Sequence, residues 1–364
     1  MIRILQCVND MHRAGLETML MNYYRNIDRS EIQFDFLTHR PYRSDYDDEI
    51  ESLGGKVYYA PRLYPQNYIA YFKWMKKFFS EHPEYKIVHS HIDTMSFLPL
   101  LAAKRAKVPY RIAHSHNTAI DKDFKYILKQ IFRVGINYVA NRRLACGEEA
   151  GKFLFGRNQS FDIICNAVDA SKFKYSKEIR DEKRKALGIA NEYVIGHIGR
   201  FSYQKNHNFL IEIFNALLKI EPNARLLLVG VGEKESEIKK KVKDLFIEDK
   251  VDFLENRADV SELYQAMDVF VLPSFFEGIP VVGVEAQFSD LPCIFSNKTP
   301  VEVAFNKKCS FIGLDDSIDT WISEILKHRN DIREAEKPNI VNTEYDIKHA
   351  YRRLTEYYRN LEVK

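Results

Sequence analysis

The stretch VFVLPSFFEGIPVVGVEAQF, residues 269–288, decides the fold class of this chain. It opens with a valine-rich apolar run, which predicts a buried strand over residues 269–273. Pro280 suits the first position of a helix, where its missing N–H would be unpaired in any case. The segment therefore predicts a strand, a loop and a helix that begins directly after Glu277, which is one repeat of a parallel α/β sheet.

The same alternation of apolar runs and helical periodicity extends over the rest of the chain. The first series of predicted strands covers residues 2–8, 33–38, 56–59, 86–90, 110–115, 143–146 and 162–165, and the stretches with helical spacing between them are residues 16–27, 68–80, 95–106, 124–140 and 148–155. A second series follows at residues 193–199, 225–229, 251–254, 292–296 and 310–313. Two series of similar size predict two Rossmann-like domains, with ligand sites at the carboxyl ends of their strands.

A polar segment over residues 171–192, rich in Lys, Glu and Asp, contains no strand pattern and marks the expected domain boundary. A chain of 364 residues is long enough for two domains. We predict an N-terminal domain over residues 1–185, a C-terminal domain over residues 186–344, and an aromatic, basic helix within residues 345–364.

Charge is unevenly shared along the chain. Residues 1–190 hold 31 Lys and Arg against 22 Asp and Glu, whereas the remainder holds 23 against 29. This favours an anionic partner for the first half, such as a phosphorylated acceptor or an acidic membrane surface, although attraction between the two halves explains it as well. No apolar segment approaches the roughly 20 residues of a membrane-spanning helix, and the first residues lack a signal-peptide pattern. We expect a cytoplasmic protein, with peripheral contact at the inner face of the membrane as an option.

Two carboxylates accompany the predicted helix start. Its backbone N–H groups favour a phosphate or a developing negative charge, and Glu277 would stand beside the bound group. Glu285 lies just over two turns along the helix, so the pair can reach different parts of one elongated ligand. The alternative interpretation is a helix-start carboxylate at Glu277 and a solvated residue at Glu285.

A second group of polar residues, GRFSYQKN at residues 199–206, directly follows a predicted strand. The forked guanidinium of Arg200 and the ammonium of Lys205 suit a diphosphate, which carries two charges and several acceptor oxygens. Alternatively, both side chains are ordinary solvated surface residues.

In the first half, Gly15 permits close approach of a ligand to the backbone at a helix start. Histidines cluster at two strand ends, as His89 and His91 and as His114 and His116. Four histidines suggest a metal site, but no acidic ligands accompany them. We therefore expect a ligand contact from His116, and packing or polar support from the other three.

Other features carry less weight. The glycines of VGVG, residues 229–232, lack the third glycine of a dinucleotide-binding turn. The Asp-Lys-Asp at residues 121–123 fits a solvated helix cap better than a metal site. The five cysteines show no CxxC spacing and fit reduced core positions. We expect neither a metal nor a cofactor.

Taken in order, these segments resemble retaining glycosyltransferase family 4. The resemblance rests on Glu277 and Glu285 around Glu-Gly-Ile-Pro, on Gly-Arg and Gln-Lys-Asn within residues 199–206, and on NAVD at residues 166–169, where the family has Asn-Gly-Val-Asp. The chain departs from the family at Ala167 and at Ala14, where the family has glycine.

The resemblance implies an α/β protein of the GT-B type, with two Rossmann-like domains facing across a cleft. It implies retaining, metal-independent transfer from a nucleotide-diphosphate sugar, with a UDP-sugar favoured. The acceptor would be a saccharide or a polyprenyl-diphosphate-linked sugar in capsule or exopolysaccharide synthesis, and nucleic acid is not an expected partner.

The resemblance also implies roles for single residues. Arg200 and Lys205 would bind the diphosphate, Glu285 the ribose and Glu277 the hydroxyls of the donor sugar. The backbone around the helix start would assist at Gly278, Ile279, Pro280 and Val281. In the first domain, Gly15 would lie at the diphosphate and His116 beside the sugar, and the final helix would cross back to that domain.

Two other classes of function share this scaffold. One is a sugar-nucleotide epimerase or a phosphorylase, against which the order of Arg200, Lys205, Glu277 and Glu285 speaks. The other is a nucleotide-binding protein without turnover. Donor hydrolysis or transfer by the purified protein distinguishes the enzyme from the binding protein.

Overall fold

A computed structural model describes residues 1–120, 126–255, 257–333 and 344–361. The chain divides into two compact units. The first unit contains residues 1–167 and 347–364, and the second unit contains residues 168–346. Among the described residues, every helix is too short or too polar to cross a bilayer.

A parallel sheet of seven strands forms the first unit. Its strands are β1 (Ile2–Cys7), β2 (Ile32–Thr38), β3 (Val57–Tyr59), β4 (Ile87–Ser90), β5 (Tyr110–Ser115), β6 (Arg142–Ala145) and β7 (Asp162–Ile163). Their order in the sheet is β3-β2-β1-β4-β5-β6-β7, so the direction of winding reverses between β1 and β4. Open α/β sheets bind ligands at such a reversal.

Helices connect these strands, as parallel pairing requires. They are α1 (Gly15–Asn26), α2 (Asp47–Ser52), α3 (Tyr68–Glu81), α4 (Phe97–Arg105), α5 (Tyr126–Val139) and α6 (Glu148–Phe155). Aromatic and aliphatic side chains of α3, α4 and α5 pack with β4 into one core, which includes Tyr71, Met75, Leu100 and Ile136.

In the second unit, a parallel sheet of six strands has the order β10-β9-β8-β11-β12-β13. The strands are β8 (Tyr193–Ile198), β9 (Ala224–Val229), β10 (Val251–Leu254), β11 (Val269–Leu272), β12 (Cys293–Ser296) and β13 (Cys309–Ile312). The helices are α7 (Lys177–Ala186), α8 (His207–Leu217), α9 (Glu235–Asp244), α10 (Val260–Ala266), α11 (Val281–Phe288) and α12 (Ile318–Lys327). The winding of this sheet reverses between β8 and β11.

The division between the units falls at residues 167 and 168, before the polar segment, whereas the sequence places the boundary at residues 185 and 186. Helix α7 explains the difference because its arginines belong to the second unit. Arg180 Nη1 donates to the carbonyl of Met267 at 2.9 Å, and Arg184 Nη1 donates to the carbonyl of Ala266 at 3.0 Å.

The last helix, α13 (Ile347–Arg359), belongs to the first unit. Its buried side chains recur at helical spacing, at Ile347, Ala350, Leu354 and Tyr358. The rings of Tyr358 and of Phe34 on β2 pack edge to face, with 5.9 Å between their centroids. This apolar stripe accounts for a helix that is otherwise rich in charge.

Candidate functional site

The reversal of strand order in the second sheet brings two loops together. Residues 199–206 follow β8, and residues 273–280 follow β11. Three hydrogen bonds to backbone carbonyls join the loops: Phe275 N–H to the carbonyl of Gln204 at 2.8 Å, Gln204 Nε2 to the carbonyl of Phe276 at 3.0 Å, and Asn206 Nδ2 to the carbonyl of Pro273 at 3.1 Å. The two polar groups predicted from the sequence therefore form one surface.

At the centre of this surface, Lys205 and Glu277 form an ion pair. Lys205 Nζ lies 2.6 Å from Glu277 Oε1, and the two side chains are 14% and 6% exposed. Gln204 Nε2 also donates to Glu277 Oε2 at 3.2 Å. Because little water screens such a pair, its charges act strongly on any polar ligand that enters. The carboxylate is held in place by two donors before a ligand arrives.

Glycines of the VGVG segment support the loop at residues 199–206. A Cβ on Gly230 would strike the carbonyl oxygen of Gly199, and one on Gly232 would strike that of Phe201. Gly230 also has a φ of +134°, which side-chain-bearing residues rarely adopt. These glycines therefore shape the loop that carries Lys205.

The helix after β11 begins later than the sequence predicts. Pro280 precedes the helix as its N-cap with an extended ψ of 115°, and the first helical residue is Val281. The carbonyl of Pro280 accepts the first helical hydrogen bonds, from the N–H groups of Gly283 at 3.0 Å and Val284 at 3.2 Å. The prediction of a helix directly after Glu277 is wrong, because Gly278, Ile279 and Pro280 remain in the loop. The positive end of α11 still lies in this segment.

Glu285 lies within α11 and is buried. Its Oε2 accepts a hydrogen bond from the hydroxyl of Tyr264 on α10 at 2.9 Å. Burial raises the pKa of Glu285 to about 7, and the hydrogen bond from Tyr264 offsets part of that rise. Glu285 is therefore not a solvated surface residue, and it gains or loses a proton near neutral pH.

Arg200 differs from these residues in its environment. Its side chain is 73% exposed, and Nη2 lies 3.1 Å from Glu233 Oε2. An exposed pair of this kind contributes little to stability. The guanidinium can therefore leave Glu233 for a stronger anion at small cost.

In the first unit, Gly15 is the first residue of α1 and is exposed to solvent. It follows β1, which is one of the two strands at the reversal of this sheet. Ala14 precedes the helix without a side-chain capping bond. The N–H groups of this helix start therefore have no side-chain acceptor from their own N-cap.

His116 follows β5 and is half-buried. Its backbone N–H donates to Asp93 Oδ1 at 2.7 Å, and Asn117 Nδ2 donates to Asp93 Oδ2 at 2.7 Å. The Nε2 atom of the His116 ring lies 3.0 Å from His91 Nδ1. Burial lowers the pKa of His116 to about 3, so the imidazole is neutral at physiological pH.

The other three histidines form a tight cluster. His89, His91 and His114 are buried, and one nitrogen from each lies within 4.8 Å of the others, which is close enough to consider a metal site. However, His89 Nε2 is already hydrogen-bonded to His114 Nδ1 at 3.2 Å. The Asp-Lys-Asp at residues 121–123 lies outside the described residues.

Three residues at these sites were not predicted from the sequence. Gln204 holds Glu277, Tyr264 holds Glu285, and Asp93 holds the backbone of His116. Gln204 could have been found, since it adjoins Lys205 in the Gln-Lys-Asn segment. Neither Tyr264 nor Asp93 stands out in the sequence, because each meets its partner only through tertiary packing.

Two family models match the chain. "Glycosyl transferases group 1" matches residues 179–337, and "Glycosyl transferase 4-like domain" matches residues 14–146. Together they match most of each Rossmann-like unit, including the loops that carry Gly15, Lys205 and Glu277.

Two curated proteins illustrate the relationship. EpsF of Bacillus subtilis (strain 168), which is named as a glycosyltransferase, is 36% identical over 334 residues, which cover 89% of this chain and 87% of EpsF. The UDP-Gal:alpha-D-GlcNAc-diphosphoundecaprenol alpha-1,3-galactosyltransferase of Escherichia coli is 29% identical over 275 residues, which cover 72% of this chain and 70% of that enzyme.

A solved structure shares the whole fold. Anabaena HepE in complex with UDP-glucose superimposes with a TM-score of 0.81 at 20% identity, over 99% of this chain and all of HepE. The predicted GT-B fold is therefore confirmed, with one Rossmann-like sheet in each unit.

Proposed function

Because the chain belongs to the group 1 glycosyl transferases, we propose that it is a retaining, metal-independent enzyme that transfers a sugar from a nucleotide-diphosphate donor. The favoured donor is a UDP-sugar, since HepE was solved with UDP-glucose and the E. coli relative is named for UDP-Gal. The observation that carries the proposal is the buried pair of Lys205 and Glu277 beside the start of α11.

The diphosphate is proposed to bind at Lys205, with Arg200 and the backbone at Gly278, Ile279 and Val281. An ammonium, a guanidinium and the positive end of a helix together offset the negative charge that builds up on a leaving diphosphate. Arg200 is exposed and weakly paired, so it can close onto the ligand. These cations would do the work that a divalent metal does in other transferases, which supports the proposal of metal independence.

Glu277 and Glu285 are proposed to accept hydrogen bonds from the sugar and ribose hydroxyls. Glu277 is ready to accept because Lys205 and Gln204 hold its carboxylate in place. Glu285 lies further along α11 and is buried, as a group that recognises one end of a long ligand would be. Hydrogen bonds from hydroxyls favour its ionised form, so donor binding should lower its pKa.

In the first unit, Gly15 is proposed to meet the diphosphate and His116 the donor sugar. The exposed start of α1 offers backbone N–H groups to an anion. The neutral imidazole of His116 can exchange hydrogen bonds with a hydroxyl without adding charge. Retention is proposed to proceed without a covalent nucleophile, with the diphosphate leaving and the acceptor arriving on the same face of the sugar.

The acceptor is proposed to be a saccharide or a polyprenyl-diphosphate-linked sugar. The E. coli relative is named for a diphosphoundecaprenol acceptor, and this supports the same class of acceptor here. The pathway would be synthesis of a cell-surface polysaccharide, such as a capsule or an exopolysaccharide. The basic first half of the chain suits an anionic, membrane-borne acceptor of this kind.

Peripheral contact with a membrane is proposed for one face of the first unit. Helix α5 exposes the apolar residues Ile127, Ile131, Val134 and Tyr138, each between 60% and 81% accessible. Their spacing of four, three and four residues puts them on one stripe of the helix. Apolar stripes of this size on a helix surface favour insertion into the headgroup region of a bilayer.

Cations lie on the neighbouring helices of the same unit. A groove of about 740 Å³ between α3 and α4 carries Lys73, Lys76 and Arg105 among aromatic side chains. Each cation near an anionic leaflet contributes about 1 kcal/mol to binding. Charge and apolar surface therefore both favour the inner face of the membrane.

Turnover tests the proposed activity. Purified protein is incubated with UDP-, GDP- and ADP-sugars in EDTA, and release of the free nucleotide is measured with and without lipid-linked acceptors. We expect release from one nucleotide class, strong loss in Lys205→Ala, and no change in the surface variant Lys327→Ala. No release from any donor, with both variants folded, would contradict the proposed enzyme.

Flotation with vesicles tests the membrane contact. We expect binding to vesicles rich in phosphatidylglycerol and weak binding to phosphatidylcholine vesicles. Ile131→Asp with Val134→Asp should abolish binding, whereas Ile220→Asp, an equally exposed apolar position in the second unit, should not. Equal binding of all three proteins would contradict the proposed face.

A further inference from the structure

Four histidines lie side by side on the sheet of the first unit, at the carboxyl ends of β4 and β5. They are His89 and His91 on one strand end and His114 and His116 on the other. The ring centroids are 4.0 Å apart along the first pair and 4.1 Å along the second, with 5.2 Å and 5.3 Å between the pairs. Only His116 has a proposed contact with the donor, so the other three need a separate explanation.

The protons of this cluster can be assigned from Gln6, whose Nε2 donates to the oxygen of Tyr358 at 3.2 Å. Because that oxygen accepts from Gln6, the hydroxyl proton of Tyr358 is donated to His89 Nδ1 at 2.6 Å, and His89 carries its own proton on Nε2. His114 Nδ1 then keeps the lone pair and accepts from His89 Nε2–H at 3.2 Å.

The same direction continues through Gln6 to His116. The oxygen of Tyr358 accepts from Gln6 Nε2 at 3.2 Å, which turns the amide oxygen of Gln6 towards His91. An amide oxygen only accepts, so His91 Nε2 carries a proton and donates to it at 2.8 Å. His91 Nδ1 therefore accepts from His116 Nε2–H at 3.0 Å, and His116 Nδ1 is left with the lone pair.

Neutral rings are required for this assignment, since a charged imidazole would carry a proton on both nitrogens. Burial holds the pKa values of His89, His91 and His114 well below the usual value, and it lowers that of His116 to about 3. Each histidine therefore carries one proton and one lone pair. Among the described residues, His114 Nε2 and His116 Nδ1, at the two ends of this chain of hydrogen bonds, have no hydrogen-bond partner.

We propose that this chain of hydrogen bonds holds His116 as its Nε2–H tautomer, with Gln6, His91 and Tyr358 as positioning residues. Tyr358 lies on α13, so a side chain of this helix helps to determine which ring nitrogen of His116, after β5, carries the proton. The functional part rests on the proposed glycosyltransferase activity, in which His116 contacts the donor sugar. A fixed, neutral imidazole orients a hydroxyl there and does not exchange protons with the reaction.

Tyr358→Phe and Tyr71→Phe form a matched pair of variants. Each removes one hydroxyl from a buried tyrosine that is hydrogen-bonded to a buried histidine. Tyr71, however, bonds to His39, and neither residue belongs to the chain of hydrogen bonds. Long-range ¹H–¹⁵N NMR of protein labelled at histidine distinguishes a protonated ring nitrogen from one with a lone pair. Signals are assigned with single His→Gln variants, and metal content is measured on the same samples.

In the wild type we expect His116 protonated at Nε2, with a lone pair at Nδ1. Tyr358→Phe should change the signals of His89 and His114 and mix the tautomers of His116, whereas Tyr71→Phe should change only His39. The opposite tautomer of His116, or a stoichiometric metal in the protein, would overturn the proposal.

Kinetics separate this proposal from the activity on which it rests. Loss of one neutral hydrogen bond in the chain should lower kcat in Tyr358→Phe by roughly threefold to tenfold, with Tyr71→Phe unchanged. Equal kcat in all three proteins would overturn the functional part even if the tautomer is as expected. A wild type inactive with every donor would contradict the proposed function, while the NMR result would still decide the hydrogen-bond chain.

Discussion

Replacing Glu285 with glutamine should make the stability of the second unit less dependent on pH. The carboxyl group is buried with one hydrogen bond, from Tyr264, and burial raises its pKa to about 7. Glutamine has nearly the same shape, can accept the same hydrogen bond and carries no charge at any pH. The variant therefore removes the titration while keeping the packing.

The direction in which stability changes with pH follows from proton binding by the folded and unfolded states. The ordinary pKa of a glutamate is 4.5, so between pH 4.5 and pH 7 the folded protein holds the proton more tightly than the unfolded chain. Stability of the wild type therefore falls as pH rises through this window and levels off above pH 7. Since one pKa unit corresponds to 1.36 kcal/mol, the loss between pH 5 and pH 8 from Glu285 alone is about 2–3 kcal/mol.

Urea unfolding at pH 5, 6, 7 and 8 measures this effect. Trp321 is fully buried in the second unit, so its fluorescence in a Trp74→Phe background reports that unit. We expect Glu285→Gln to gain about 2–3 kcal/mol relative to the wild type between pH 5 and pH 8. Glu248→Gln, at an exposed carboxylate, should follow the wild type. Parallel pH curves for the wild type and Glu285→Gln would refute the reasoning.

Three further outcomes can be measured on the same protein. A UDP-sugar, whose diphosphate does not titrate in this range, should bind more tightly at pH 8 than at pH 6 by less than tenfold. Glu285 is proposed to accept from two ribose hydroxyls and must be ionised to do so, and calorimetry should therefore show no such change in Glu285→Gln. Gly230→Ala should destabilise the second unit by about 1–3 kcal/mol in urea unfolding. Residue 230 has a φ of +134°, and the added Cβ would strike the carbonyl of Gly199. Arg200→Ala should leave the free energy of unfolding within about 0.5 kcal/mol of the wild type, since its pair is exposed, yet should lower kcat for donor cleavage. An equal loss of stability in Arg200→Ala and Gly230→Ala would contradict the different environments assigned to these residues.

Much of the fold was predictable because each unit is a parallel sheet covered by helices. Strands of such sheets are rich in apolar residues, and β5 and β10 coincide with the predicted residues 110–115 and 251–254. Helix α6 coincides with the predicted residues 148–155, because its apolar residues recur with clear helical periodicity. In contrast, α2 (Asp47–Ser52) is short and almost wholly polar, so no hydrophobic pattern predicted this helix.

The candidate site was predictable in its residues but not in its pairing. The sequence placed Lys205 and Glu277 at two strand ends, and the strand order joined them, because β8 and β11 are neighbours at the reversal. Nothing in the sequence indicated that Tyr264 bonds to Glu285. The start of α11 was placed too early because Pro280 also fits an N-cap.

Binding of UDP to the second unit tests the central claim most directly. Isothermal titration calorimetry in EDTA compares the wild type with Lys205→Ala and with Lys327→Ala. We expect the wild type and Lys327→Ala to bind UDP with the same affinity and Lys205→Ala to bind at least tenfold more weakly, since a charged contact to phosphate is lost. Equal affinity in Lys205→Ala, or no binding of UDP by the folded wild type, would contradict the proposed donor site.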